Sequence, residues 1–322
     1  LKITTLTQSP TAGVTFVTTP RFGTDDSIYR VKFEQCFNSN IPTTSRYSTL
    51  RLFITLSIIL SLTIIQMDVK TAFLYGLLEE ELYMRIPQGV VAPPGTVLRL
   101  RKCIYGLKQA PRVWNEMIHK LLTSIGGVNS QFDECLYVFH GDNGEFALLN
   151  LFVDDILLAF KGVMLRDKIV TALKGAYSVV ELGTPKFCLG MKFDYINGTI
   201  QLSQRAAVER FLKRFQMEDC KPVTTPMESN FKIRNRIEDS ADPAEQLTSA
   251  PYRAAIGCLL YLSQCTRPDI TFAVGVLARY GSNPSERHWS AVKRLFRYLH
   301  GTKEYALVFR ANPVREFNLV GY

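Results

Sequence analysis

The chain has 322 residues, 47% hydrophobic and 21% charged, with 38 Lys and Arg against 29 Asp and Glu for a net charge of +9. That length and balance suit about two globular domains and exclude disordered, collagen-like and small disulfide-framework chains. The basic excess favours a polyanionic partner without identifying it. The seven cysteines are widely spaced and contain no CxxC pair, so they write neither a disulfide set nor a zinc knuckle and fit a reduced, intracellular protein. Leu52 to Ile65, the most apolar run, falls short of the ~20 residues a bilayer crossing needs, so no membrane association is expected.

Residues 1–45 are rich in Thr, show no sustained apolar period and read as a weakly structured lead-in. From Tyr47 the pattern strengthens. Leu50 to Leu60 predicts a buried helix, Thr63 to Val69 a buried strand, Thr71 to Leu78 a helical stretch and Leu82 to Ile86 a strand. Pro111 suits the first turn of a helix that reaches about Ser124, with Trp114, Ile118, Leu121 and Leu122 on one face. Phe146 to Phe160 holds two apolar runs separated by Asp154 and Asp155, a hairpin pattern. Phe187 to Tyr195 and Thr199 to Leu202 read as a second strand pair turning at Asn197-Gly198. A basic helix, Gln204 to Phe215, and a polar linker, Glu228 to Pro251, precede a helical C-terminal region with the apolar stripe Trp289, Val292, Phe296 and Leu299.

Adjacent aspartates between two apolar strands are costly: at ~4 Å and an effective dielectric of ~20 their repulsion is about 4 kcal/mol. Either solvent at an exposed turn or a bound divalent cation can relieve it. A third carboxylate, Asp68, ends the strand-like run Thr63 to Met67 and precedes a turn. Asp68 with Asp154 and Asp155 suits a pair of hard cations held by oxygen ligands, while Asp68 alone also suits a helix N-cap.

The segments QMDVKTAFLYGLLEEELYMRIPQG, CIYGLKQAPRVWNEM, NLFVDDILLA, ELGTPKFCLGMKF and IQLSQRAAVERFLKRFQMEDCKPVTTPM resemble, in order and spacing, the reverse transcriptase of copia-type (pseudovirid) LTR retrotransposons. CLLYLSQCTRPDITFAVGVLARY and HWSAVKRLFRYLHGT look like that family's connection region, so the likeness covers residues 46–322. It implies an α+β fold, a right-hand polymerase palm of antiparallel strands backed by helices, with thumb and connection and with degenerate or truncated fingers. The implied organisation is a fingers remnant or disordered lead-in at 1–45, palm at 46–199, thumb at 200–227, linker at 228–251 and connection at 252–322.

By the same resemblance, Asp68 and Asp154 would hold two Mg²⁺ ions, with Mn²⁺ as a substitute, Asp155 would assist, and the Val69 carbonyl would complete the shell. Phe73 matches a steric gate that selects dNTP over rNTP; by itself it reads as a core residue. Gln109 and Lys108 match positions beside the incoming nucleotide, and by themselves mark only a turn before a helix. Leu189-Gly190-Met191 matches the primer grip, a pattern that also suits a β-bulge. Arg205, Lys213 and Arg214 would track the phosphates of an RNA or DNA template with its primer. Residues 200–310 carry 17 Lys and Arg against 11 acids, which suits that role and equally a solvated helix face.

The chain also departs from the family pattern. Tyr29 to Phe37 keeps only an Arg and a Lys of the fingers motif that clamps the triphosphate, Phe152 replaces a Tyr, and Tyr75 replaces an Asn. Leu1 stands at the start and the chain stops at Tyr322, where the family places the first ribonuclease H carboxylate, so a fragment of a Pol polyprotein without that activity is expected. The family's usual setting implies a cytoplasmic particle or the nucleus. Two other readings remain open at this stage: a protein that binds primer-template without synthesis, and a relic with no biochemical role.

Overall fold

Asp133 starts a helix to which it does not belong. The computed structural model describes residues 14–18, 44–93, 95–228 and 248–311, and its first helix, α1 (Tyr47–Ile59), has Arg46 at the N-cap and no acid in its first turn. The acceptor comes from a distant loop. Asp133 Oδ2 takes Ser45 Oγ at 3.1 Å, the Arg46 N–H at 2.9 Å and Thr49 Oγ1 at 2.5 Å, and Oδ1 takes the Cys135 N–H at 3.0 Å. A carboxylate there satisfies orphan donors and meets the positive end of the helix dipole.

The chain divides into two units, Leu1–Thr184 and Pro185–Tyr322. In the first unit, β1 (Val14–Thr18) lies antiparallel to β4 (Thr96–Lys102), which pairs with β3 (Leu77–Met84). The lead-in therefore contains a strand. Residues 1–13 and 19–43 of it, including the Tyr29 to Phe37 motif, lie outside the described residues, as do residues 94, 229–247 of the linker and 312–322.

The main sheet of this unit is antiparallel throughout. It comprises β2 (Thr63–Val69), β5 (Val128–Asn129), β6 (Leu136–His140), β7 (Phe146–Phe152), β8 (Asp155–Lys161) and β9 (Val179–Gly183), in the order β5-β6-β7-β8-β2-β9. Side chains alternate between its faces. Met67, Val69, Leu149, Leu151, Ile156 and Leu158 join one core with α2 (Ala110–Ser124) and α3 (Val163–Ala176). On α2, Trp114, Ile118 and Leu122 are fully buried, each stabilising by about 1.5–3 kcal/mol, and Leu121 is half-buried. The buried Leu50, Phe53 and Ile54 of α1 lie outside that core; α1 packs on β7 and β8.

The helix expected over Thr71 to Leu78 is absent. Thr71 has φ 55°, a single 3-10 turn spans Ala72–Tyr75, and Gly76 is extended. The Gly76 carbonyl accepts the Cys103 N–H at 2.9 Å, which turns the chain directly into β3, and a Cβ there would lie 2.7 Å from Val113 Cγ1. Among the described residues, no helix is long and apolar enough to cross a membrane.

In the second unit, β10 (Phe187–Cys188), β11 (Met191–Ile196), β12 (Thr199–Ser203) and β13 (Ala306–Arg310) form an antiparallel sheet in that order. Asn197 and Gly198, at φ 47° and 74°, make the expected tight turn. The helices are α4 (Arg205–Arg214), α5 (Tyr252–Cys265), α6 (Thr271–Ala278) and α7 (Glu286–Gly301), joined by a core that includes Phe211, Leu259, Leu277 and Phe296. Trp289 of the predicted stripe is only half-buried.

Arg267 fastens this unit from inside. It is 2% exposed, forks onto Asp269 at 3.1 and 2.8 Å, donates to the Thr302 carbonyl and hydroxyl, and lies over the Tyr298 and Tyr305 rings. Burial would raise the Asp269 pKa, but the Arg267 fork and charge and the Tyr298 hydroxyl hold it below the usual carboxylate range. A depressed folded-state value contributes stability above the unfolded value of ~3.9 and loses it as pH falls through the folded one. Asp269→Asn is therefore less stable than the parent at pH 7, and the gap closes below about pH 4 in urea titrations run across pH. In the first unit, Asp133→Ala lowers the unfolding free energy by about 2–4 kcal/mol, because it leaves buried donors unpaired. Asp133→Asn, which keeps an acceptor, costs roughly half as much in the same denaturant titration.

Candidate active site

The tip joining β7 to β8 is Val153-Asp154: Phe152 and Asp155 are register partners, so Asp155 already belongs to β8. This differs from the turn expected at Asp154-Asp155. The positive φ falls on Val153, at 57°, rather than on either aspartate. A β-branched residue there is strained by about 1–3 kcal/mol and persists only where its surroundings fix it. Here the Val153 carbonyl accepts Trp114 Nε1–H at 2.7 Å, and the Asp154 carbonyl accepts the Val69 N–H at 2.8 Å. A helix and a neighbouring strand thus clamp the tip.

The same register sets Asp68 of β2 directly across from Asp155. Both side chains alternate onto the face opposite Met67 and Val69, and all three aspartates are half-buried. Gln66, two residues earlier on that face, donates from Nε2 to Asp155 Oδ1 at 3.1 Å. Burial pushes the Asp155 pKa up, Gln66 opposes it, and the negative charges of Asp154 and Asp68 push it further up. Asp154 Oδ2 accepts the Tyr105 hydroxyl at 3.0 Å. Burial, that hydrogen bond and the two aspartate charges raise Tyr105 to about 12, so it remains a donor at neutral pH.

Phe73 is 6% exposed within the main core, with its ring centroid 4.5 Å from that of Tyr105. Gln109 is buried at the N-cap of α2, and Lys108 beside it is exposed. The structure thus brings Asp68, Val69, Asp154, Asp155 and Phe73 into one neighbourhood around Tyr105. Neither Tyr105 nor Gln66 was singled out from sequence. Gln66 could have been found from its two-residue spacing to Asp68, whereas nothing local pairs Tyr105 with Asp154.

The remaining predicted residues belong to the second unit. Leu189 and Gly190, at φ 51° and 74°, form a hairpin tip between β10 and β11 rather than a bulge, and Met191 is buried. The Tyr261 hydroxyl donates to the Leu189 carbonyl at 2.9 Å, and a Cβ on Gly190 would lie 2.2 Å from that hydroxyl, so glycine is required. Arg205 is paired with Glu209 and Glu304, Lys213 is exposed, and Arg214 lies 5.6 Å over the Phe215 ring.

Among the described residues, no three His, Cys, Asp or Glu side chains are gathered to hold a metal. The donor chemistry nonetheless suits a hard cation: Asp68 and Asp155 are carboxylates paired across two strands with Asp154 at the adjoining tip, and the Asp155 pKa is raised first by burial and then by the charges of Asp154 and Asp68.

A family model described as reverse transcriptase (RNA-dependent DNA polymerase) matches residues 29–229. The chain is 37% identical over 284 residues to a retrovirus-related Pol polyprotein from transposon TNT 1-94 of Nicotiana tabacum, covering 87% of this chain and 21% of that one. It is 34% identical over 316 residues to the corresponding polyprotein from transposon RE2 of Arabidopsis thaliana, covering 92% and 21%. It thus spans about a fifth of the length of these relatives. A foamy viral protease-reverse transcriptase in complex with double-stranded DNA shares 12% identity at a TM-score of 0.39, over 74% of this chain and 35% of that one. The chain belongs to the reverse transcriptase (RNA-dependent DNA polymerase) family. Within that family it is of the copia type found in retrotransposon Pol polyproteins.

Trp114→Phe keeps most of the packing volume but removes the donor to Val153. We expect it to cost about 1 kcal/mol in denaturant titration. Hydrogen exchange at the Val69 amide, which is bonded to the same tip, should quicken measurably while amides of β6 keep their protection.

Proposed function

We propose that this chain performs RNA-templated DNA synthesis, joining a primer 3′-hydroxyl to the α-phosphate of a dNTP. The observation that carries the reading is the pairing of Asp68 with Asp155 across β2 and β8, with Asp154 at the adjoining tip. In polymerase terms the six-stranded sheet and its helices are the palm, α4 the thumb and α5 to α7 the connection. Asp68, Asp154 and the Val69 carbonyl would hold the divalent ions, Mg²⁺ by preference. When bound, such ions supply acidity at the primer hydroxyl and neutralise the leaving pyrophosphate.

The protein groups then have separate duties. Asp155, oriented by Gln66, adds negative potential without sharing the Tyr105 contact of Asp154. Phe73 would bound the sugar and exclude a ribose 2′-hydroxyl, Lys108 would meet the triphosphate, and Gln109 would read the sugar. Leu189, Gly190 and Met191 would seat the primer end through a backbone that Tyr261 already fixes. Arg205, Lys213 and Arg214 would follow template and primer phosphates, Arg205 by exchanging Glu209 and Glu304 for phosphate oxygens.

The test is dNTP incorporation on a primed RNA template with Mg²⁺ and then Mn²⁺, comparing the parent with Asp154→Ala. Incorporation that falls by at least about 100-fold in the variant supports the reading. A folded parent that binds primer-template in a salt-dependent way but adds no nucleotide replaces it with a binding role. Incorporation indifferent to the substitution removes Asp154 from the site.

A further inference from the structure

Tyr105 makes contacts that packing alone does not require. It is 56% exposed, yet its hydroxyl reaches Asp154 Oδ2 at 3.0 Å and its ring lies against the buried Phe73. It stands in the connection between β4 and α2, and the next residue, Gly106, has φ 100° with nothing within 4 Å of a Cβ added there. The open, left-handed glycine beside it gives the backbone freedom at that point, while the ring keeps its contact with Phe73. Its hydroxyl takes up one oxygen of Asp154, an oxygen that a hard cation would also need.

We propose that Tyr105 is a positioning residue of the polymerisation site: its hydroxyl holds the Asp154 carboxylate out of the metal-binding arrangement until a divalent cation displaces it, while its ring backs Phe73. The inference rests on the reading of Asp154 as a metal ligand. A neutral hydroxyl suits this duty. Its hydrogen bond to a carboxylate near solvent shifts an equilibrium by roughly three- to ten-fold, enough to bias the side chain and too little to resist a divalent ion. A cation that must first select the released carboxylate binds with its affinity reduced by the released fraction. The ring contact is independent of the hydroxyl, so the two halves separate by substitution: Tyr105→Phe removes the hold and keeps the wall, and Tyr105→Ala removes both.

The experiment measures Mn²⁺ binding to the full chain without nucleic acid, from the electron paramagnetic resonance signal of the free ion. The parent, Tyr105→Phe, Tyr105→Ala and Asp154→Asn are compared, each checked for folding by thermal melt. The expected result is binding about three- to ten-fold tighter in both Tyr105 variants and weaker in Asp154→Asn. In single-nucleotide incorporation, the preference for dNTP over rNTP should stay unchanged in Tyr105→Phe and fall by roughly ten-fold in Tyr105→Ala, a split that a merely structural tyrosine would not give. Unchanged or weaker Mn²⁺ binding in Tyr105→Phe, with binding still lost in Asp154→Asn, overturns the inference and leaves the site reading intact. Parent-like binding in Asp154→Asn overturns the site reading and the inference with it.

Discussion

The short bond from the Val69 amide to the Asp154 carbonyl ties the end of one strand to the tip of a neighbouring hairpin, and the site depends on that tie. Hairpin tips are ordinarily the loosest part of a sheet. This one carries a valine at φ 57°, a conformation that would relax if the tip were free. Two directions of restraint prevent it: β2 holds Asp154 from the side, and the Trp114 indole holds Val153 from the helical layer. Trp114 is fully buried, so the second restraint is as rigid as the core itself. The strain is thus offset by the buried Trp114 and by the neighbouring strand.

The two faces of the sheet divide the work. Met67, Val69, Ile156 and Leu158 anchor one face to α2 and α3, which fixes the register, and a one-residue slip would turn Asp68 and Asp155 into that core. The other face can then carry Gln66, Asp68 and Asp155 with no freedom to slide. Apolar burial on one side is what makes the placement of charge on the other side definite. In the second unit the same logic runs through a polar centre: Arg267, buried and forked onto Asp269, has every side of its guanidinium engaged, so a charge in the interior fixes a geometry rather than loosening it.

Much of this was legible from residue order. The hairpin around the aspartates, the strand of Asp68, the Asn197-Gly198 turn, the helices Ala110–Ser124 and Arg205–Arg214 and the reverse transcriptase family all follow from apolar period, turn chemistry and motif order. What was not legible has physical causes. The stretch from Thr71 to Leu78 has helical composition, but Thr71 adopts a left-handed backbone and Gly76 bonds to Cys103, a tertiary partner that no local window contains. The strand Val14–Thr18 owes its existence to pairing with β4. Asp133 reads as a loop acid, and only the fold reveals that it caps a helix more than eighty residues earlier. The turn at Asp154-Asp155 was read from the two apolar runs that flank the pair, which counts Val153 into the first strand; the clamp from Trp114 and Val69 moves the tip one residue earlier.

The donors that the fold supplies to the aspartates are also informative. Asp155 receives an amide from Gln66 and Asp154 receives a phenol from Tyr105, both neutral. A lysine or arginine in either place would relieve the carboxylate repulsion more fully, through a charge-assisted bond roughly twice as strong. It would also stay bound, lower the carboxylates' residual negative potential and compete with any cation arriving from solvent. Neutral donors orient the oxygens and leave their charge in place; burial, with the neighbouring Asp154 and Asp68 charges behind it, keeps the Asp155 pKa raised, and the Gln66 amide only partly opposes this. Asp154 and Asp155 are thus held by neutral donors, whereas Asp269 of the second unit is closed by the charge of Arg267.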